Sequence, residues 1–107
     1  SESRGLGDVY KRQIFDMPYV NSIIKEHNLY RVRLMNLKPK RCYTYHYDLT
    51  KRFHIPIETN DKCFFIVDKE VIQLPADGNY YIVDTTKNHT AINASKEDRI
   101  HLIGNFK

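Results

Sequence analysis

Short runs rich in tyrosine, valine, isoleucine, threonine and phenylalanine dominate the sequence from residue 30 onwards, and these residue types favour β-strands. Turn-forming stretches, such as the pair Asp77-Gly78, separate the runs from one another. The predicted strands span residues 30–37, 41–48, 51–58, 63–67, 70–74, 79–84, 89–94 and 98–104. Eight short strands at such close spacing predict a mainly β domain, built as a barrel or as a double-sheet jelly roll.

A short helix is predicted ahead of the strands, from Asp16 to about Asn28. Asp16 can cap this helix, and Pro18 suits its first turn because proline has no backbone N–H to leave unpaired there. The apolar face of the helix would consist of Tyr19, Val20, Ile23 and Ile24. The expected fold is therefore mainly β, with one helix near the N-terminus.

The first 13 residues, SESRGLGDVYKRQ, are polar and show no periodic pattern, and they resemble translated adapter or cloning sequence. We therefore expect residues 1–13 to be a non-native or disordered leader. Residues 14–107 would then form a single core domain that lacks its native N-terminal part, since a chain of 107 residues has the length of one domain.

The composition limits the classes of partner. The formal net charge of +4 is compatible with nucleic acid or with anionic small molecules, but the basic residues are scattered and form no concentrated patch, so nucleic acid is not expected as the main partner. No apolar run approaches the roughly 20 residues that a membrane-spanning helix needs. The two cysteines have no metal-binding spacing and no signal peptide is evident, so we expect reduced thiols and a cytoplasmic location.

A histidine and an aspartate two residues apart indicate the first candidate for chemistry. His46 and Asp48 fall in a predicted strand, so their side chains would project from the same face. An imidazole and a carboxylate side by side can take adjacent positions on one metal, and a second histidine from another strand would complete a set that suits non-haem iron(II). Alone the pair is weak evidence, because polar pairs on strands usually face solvent.

Several further segments together carry a family resemblance. These segments are His46-Tyr47-Asp48, Arg52-Phe53-His54-Ile55-Pro56-Ile57, Thr59-Asn60, Asp84, residues 89–93 and Arg99-Ile100-His101-Leu102. They resemble the aspartyl/asparaginyl beta-hydroxylase-like branch of the 2-oxoglutarate oxygenases, a branch that also includes free-proline cis-4-hydroxylases. The resemblance spans roughly residues 30–104 and several spacings agree at once.

The resemblance implies a double-stranded β-helix, the cupin-like form of the jelly roll. It also implies that iron(II) is held by three catalytic residues, His46, Asp48 and His89. The implied reaction is that of a 2-oxoglutarate-dependent dioxygenase, which consumes 2-oxoglutarate and dioxygen and hydroxylates an unactivated C–H bond of an amino acid, peptide or similar substrate.

The resemblance assigns three more residues to the cosubstrate. Arg99 matches the arginine that pairs with the distal carboxylate of 2-oxoglutarate, a task for which a planar guanidinium is suited. Arg52 and His54 match residues near the metal-binding carboxylate of the same molecule. Structural alternatives stay open: His54 could be a core histidine, His89 a polar strand end, and both arginines could form surface ion pairs.

Two other classes of function remain open alongside the oxygenase. A cupin-like module could bind a metal or small ligand without oxidising anything. A tyrosine-rich nucleic-acid binder would use the eight tyrosines and the positive charge, but it leaves the spacing of the histidines unexplained. The sequence leaves the substrate and the oligomeric state undetermined.

Overall fold

A computed structural model describes residues 18–107, so the predicted leader over residues 1–13 and the predicted cap Asp16 lie outside the described residues. The described residues form one helix and eight strands. In chain order these are α1 (Pro18–Glu26), β1 (Leu29–Leu37), β2 (Arg41–Cys42), β3 (Arg52–Glu58), β4 (Cys63–Val67), β5 (Glu70–Ile72), β6 (Tyr81–Val83), β7 (His89–Asn93) and β8 (Arg99–Phe106).

The strands form two four-stranded sheets, and every pairing between named strands is antiparallel. Sheet I has the strand order β1-β8-β3-β6, and sheet II has the order β2-β7-β4-β5. Successive strands alternate between the sheets in part, as in a jelly roll. The predicted mainly β jelly-roll fold with one short N-terminal helix is therefore confirmed.

The predicted strand over residues 41–48 is wrong beyond Cys42. After β2 the chain follows β7 only through an isolated bridge between His46 and His89, and the register shifts by one residue between Cys42 and that bridge. The Thr90 hydroxyl donates to the Tyr43 carbonyl, at 2.5 Å, so a side chain takes a carbonyl that a regular ladder would use. The irregular segment keeps His46 and Asp48 beside β7 without a continuous strand.

One apolar core, here called the outer core, lies between α1 and sheet I. Its buried members are Val20, Ile23, Leu29, Phe53, Ile55 and Leu102. The predicted helix face is correct for Val20 and Ile23 and wrong for Tyr19, which is 51% exposed. Val20 and Ile23 are three residues apart, so they lie on one side of the helix and pack together on the sheet.

The opposite face of sheet I looks into the space between the two sheets. The apolar residues there are Leu37, Phe65, Val67, Val83 and Ala91. Between them lie buried polar side chains from β3 and β8, and the ring of Phe65 on β4 contacts three of these, His54, Arg99 and His101. Alternate residues of a strand point to opposite faces, so β3 and β8 serve both the outer core and this interior.

Within residues 18–107, α1 is the one helix, and its nine residues are far too few to cross a membrane.

Candidate active site

Two histidines and an aspartate from distant parts of the chain meet at one end of the interior. The Asp48 carboxylate lies 3.6 Å from His46 Nε2 through one oxygen and 3.5 Å from His89 Nε2 through the other. One potential ligand atom from each residue lies within 4.8 Å of the others. The structure thus brings together the three residues for which the family resemblance implies iron ligation.

Backbone hydrogen bonds hold this cluster in place. His46 and His89 exchange a pair of them, with N···O distances of 3.0 and 2.7 Å. The Asp48 N–H donates to the Thr85 carbonyl at 2.8 Å, which ties the irregular segment to the turn before β7. The three side chains therefore project from backbone that is pinned at each residue, as a precise ligand set requires.

The hydrogen bonds of the two imidazoles fix which ring nitrogen faces Asp48. Nδ1 of His46 contacts the Thr44 carbonyl at 2.5 Å, and Nδ1 of His89 contacts the Lys87 carbonyl at 2.9 Å. A carbonyl only accepts, so each Nδ1 carries the proton and each Nε2 of a neutral ring presents a lone pair. Outer partners of this kind are usual for metal-binding histidines.

The donor set fits a divalent metal. Ligand atoms about 2.1 Å from a metal and at right angles to each other lie about 3 Å apart, so the observed Nε2–oxygen separations need to contract by only about half an ångström. Two imidazoles and one carboxylate on one side of a metal leave the other side open to ligands. His46 is the more exposed histidine of the pair, and His89 is buried.

Arg99 is a buried cation at the first position of β8. Its residue is only 2% exposed, and within residues 18–107 its Nε and Nη2 atoms have no hydrogen-bond partner. The guanidinium carbon lies 5.6 Å from the centre of the Phe65 ring. Burial lowers the pKa of Arg99, yet arginine remains charged in proteins. A buried charge without a partner destabilises a fold, and an anion in the cavity would supply the missing partner.

Arg52 and His54 lie on the same face of β3, next to the cluster. Arg52 Nη2 lies 3.6 Å from an Asp48 oxygen, and its Nη1 donates to the carbonyl and hydroxyl oxygens of Thr50 at 3.0 and 2.8 Å. His54 is buried, and its Nδ1 lies 3.1 Å from Nδ1 of His101. Burial first, and then the charge of Arg99, lowers the pKa of His54 to about 3, so this ring is neutral at pH 7.

One cavity of about 200 Å³ connects all of these groups. It is lined by the six residues singled out in the sequence, His46, Asp48, Arg52, His54, His89 and Arg99. Apolar wall is supplied by Phe65, Ala91 and Ile103, among others. The candidate residues therefore share a single pocket between the two sheets, with the ligand cluster at its exposed side and Arg99 in the interior.

Arg33 also lines this cavity, and the sequence analysis missed it. Its guanidinium donates to the Asn105 side-chain oxygen at 3.2 Å, and burial followed by the charges of Arg31 and Arg52 lowers its pKa. The pairing of β1 with β8 shifts register between Tyr30 and Arg33, and Arg31 has a positive φ of 51°. A bulge of this kind changes the face to which the following side chains point, and no pattern in the sequence predicts it.

Two polar residues of the resembling segments lie outside the cavity lining and organise turns. The Asp84 carboxylate accepts from Thr86 in the turn that leads to His89. Asn93 donates to the carbonyls of Leu37 and Glu97 at 2.8 and 2.7 Å, so it anchors the connection from β7 to β8. Their contribution to the site is to fix the chain on either side of β7.

Comparison with known proteins agrees with this geometry. A family model described as aspartyl/asparaginyl beta-hydroxylase matches residues 6–107. A solved structure of the plu4264 protein from Photorhabdus luminescens superposes with a TM-score of 0.58 at 16% identity, which shows a shared fold. The match covers 71% of this chain and 61% of that one, so this chain spans less than two thirds of that protein's length. None of the curated proteins compared matches it. Since the family model covers nearly the whole sequence, this chain belongs to the aspartyl/asparaginyl beta-hydroxylase family.

Proposed function

We propose that this chain is an iron(II)- and 2-oxoglutarate-dependent dioxygenase that hydroxylates an unactivated C–H bond of an amino acid, peptide or similar substrate. The single observation that carries the proposal is that Arg99 and the cluster of His46, Asp48 and His89 share one cavity. Arg99 is buried, and two of its donor atoms have no partner in the described part of the chain. Membership of a hydroxylase family supports the class of reaction. When bound, iron(II) and 2-oxoglutarate supply the oxidising chemistry.

His46, Asp48 and His89 would hold the iron. Both imidazoles turn Nε2 towards Asp48, and both are kept in that tautomer by a backbone carbonyl at Nδ1. Two neutral nitrogens and one carboxylate are the ligand types that non-haem iron(II) oxygenases use, because they occupy one face of the metal and leave positions for cosubstrate and dioxygen. The chain's own contribution is to fix these donors before the metal arrives.

Arg99 would bind the distal carboxylate of 2-oxoglutarate. Its fork of donors can meet a carboxylate with two charge-assisted hydrogen bonds. The neighbouring Phe65 ring excludes water from one side, and an ion pair is stronger where water is scarce. The stabilisation that Arg99 lacks in the free protein would thus be supplied by the cosubstrate.

The charge of the lining favours a ligand with two negative charges. The lining residues described for this cavity include three guanidinium groups, on Arg33, Arg52 and Arg99, and one carboxylate, on Asp48. Asp48 pairs with Arg52, so among the described lining residues the guanidinium groups of Arg33 and Arg99 have no carboxylate partner. A dianion such as 2-oxoglutarate would be attracted into such a cavity, and Arg52 and His54 are placed by the proposal near its metal-binding carboxylate.

Conversion of 2-oxoglutarate to succinate tests the proposal. We expect the purified chain, supplied with iron(II), 2-oxoglutarate and dioxygen, to form succinate slowly even without substrate. His46→Ala should abolish the reaction by removing a ligand, and Arg99→Met should raise the 2-oxoglutarate concentration required. His27→Gln is the matched control, since His27 lies among Phe53, Tyr80 and Phe106 and outside the cavity lining.

Iron binding without any turnover of 2-oxoglutarate would contradict the oxygenase. That outcome would instead favour the non-catalytic cupin-like module, which holds a metal or small ligand and oxidises nothing. If the protein neither binds iron nor turns over 2-oxoglutarate, the proposal of a metal site is itself contradicted.

A further inference from the structure

A pair of buried histidines forms the wall behind the cavity. His54 and His101 meet through their Nδ1 atoms at 3.1 Å, and the residues are 3% and 1% exposed. Burial, followed by the charge of Arg99, lowers the pKa of both rings, that of His54 to about 3. Both imidazoles are therefore neutral near pH 7, and one proton lies between the two Nδ1 atoms.

Two arrangements of that proton are possible, and they give His54 opposite character. If the proton is on His101 Nδ1, this N–H donates a hydrogen bond to His54 Nδ1, and the proton of the His54 ring is on Nε2. If His54 Nδ1 carries the proton, His54 Nε2 is a bare lone pair and His101 Nε2 bears an N–H. Only the first arrangement lets His54, which lines the cavity, donate a hydrogen bond there.

The surroundings of His101 favour the first arrangement. Its Nε2 atom is buried without a hydrogen-bond partner among residues 18–107, and a buried N–H left unpaired is the rarer defect in folded proteins.

We propose that His101 is a positioning residue that locks His54 in the tautomer with a proton on Nε2, so that His54 donates a hydrogen bond to a carboxylate in the cavity. This inference rests on the proposed function, because the carboxylate is that of 2-oxoglutarate. The hydrogen bond from His101 to His54 that sets this tautomer is already present in the protein without ligand. His101 acts only through His54, which is the ring that lines the cavity.

Nitrogen-15 spectra of histidine-labelled protein without metal measure the tautomer directly, because a nitrogen that bears a proton and one with a lone pair resonate far apart. In the wild-type protein we expect His54 to show a lone pair at Nδ1 and a proton at Nε2. For His101 we expect the reverse. His101→Phe should give His54 mixed tautomers, and it should weaken 2-oxoglutarate binding by about twofold, because only the molecules with a proton on His54 Nε2 can donate to the carboxylate.

His101→Asn is the conservative variant, since its amide N–H₂ can donate to His54 from near the position of Nδ1. It should restore the His54 tautomer and most of the 2-oxoglutarate affinity that His101→Phe loses. His27→Phe is the matched control and should alter neither, since His27 is outside the cavity lining. Should His101→Phe fail to fold, the wild-type and His101→Asn spectra still decide the assignment.

A wild-type spectrum with the proton on His54 Nδ1 would overturn the inference, whatever the protein's function. An unchanged 2-oxoglutarate affinity in His101→Phe would overturn it as well. Wild-type protein that shows the expected tautomer but binds no 2-oxoglutarate would refute the proposed function and, with it, the role of the pair towards the cosubstrate. The expected spectrum together with about twofold weaker binding in His101→Phe supports both.

Discussion

The two faces of sheet I are made by the same strands and have opposite character. The outward face packs Phe53, Ile55 and Leu102 against α1 in an apolar core. The inward face, one residue along each strand, buries His54, Arg99 and His101. The outward face stabilises the fold, and this stability lets the inward face hold buried polar groups that destabilise the free protein. Because successive side chains of a strand point to opposite faces, the same strands can supply both the stabilising core and the polar cavity.

The largest effect should follow from damage to the outward face. Phe53 is 1% exposed and stacks on Tyr80 with ring centres 5.1 Å apart. Phe53→Ala should lower the free energy of unfolding by about 3–5 kcal/mol, because it leaves a cavity in the outer core. Urea unfolding measures this change. Tyr47→Ala is the control, since Tyr47 is 66% exposed, and a comparable loss in both variants would contradict the distinction.

On the inward face, a substitution should have the opposite sign. Arg99→Met replaces a buried cation whose Nε and Nη2 lack partners within residues 18–107, so the free energy of unfolding of the ligand-free protein should rise by about 1–3 kcal/mol. The same variant should bind 2-oxoglutarate much more weakly. Thermal unfolding and calorimetric titration check the two parts, with the exposed Arg41→Met as control. If Arg99→Met instead lowers the free energy of unfolding, the guanidinium of Arg99 already makes stabilising interactions in the ligand-free protein.

Acid should weaken the fold through the same face. The pKa values of His54 and His101 are lowered, so below about pH 6.5 the unfolded chain binds protons that the folded protein refuses. The free energy of unfolding should therefore decrease as the pH is lowered, by up to about 1.4 kcal/mol per pH unit for each histidine. Urea unfolding at pH 7, 6 and 5 measures the slope. His101→Phe should reduce the slope, and an unchanged slope would argue against a neutral buried pair.

The smallest expected effect comes from making the same substitution, isoleucine to valine, on each of the two faces of sheet I. Ile55 lies in the outer core and Ile103 lines the cavity, and each is 7% exposed. Replacing either by valine should lower the free energy of unfolding by about 0.5–1.5 kcal/mol. Only Ile103→Val should also change the affinity for 2-oxoglutarate. Equal effects of the two variants on that affinity would show that the faces are coupled through the sheet.

Much of the fold could be predicted from the sequence because strand-forming residues and turns alternate so regularly. The convergence of His46 and Asp48 with His89 could be anticipated only through the family resemblance, since residues 46 and 89 are far apart in the chain. Spacing on a strand was an incomplete guide even locally, because His46 pairs with β7 through an isolated bridge.

Other features depend on contacts between distant strands and carry no local signal. His54 on β3 meets His101 on β8, and the pairing of those strands decides that contact. Arg33 faces the cavity after a register shift in β1, where regular alternation of side chains is interrupted. Sequence patterns predict which residues are buried more readily than which buried residues touch.

Anaerobic titration of the chain with iron(II) and 2-oxoglutarate tests the central claim most directly. Chelation of iron by the cosubstrate should produce a weak visible charge-transfer band in the wild-type protein. The band should vanish in His46→Ala, and in Arg99→Met it should require far more 2-oxoglutarate. A wild-type protein that binds iron(II) yet develops no band at saturating 2-oxoglutarate would contradict the assignment of this cavity to metal and cosubstrate together.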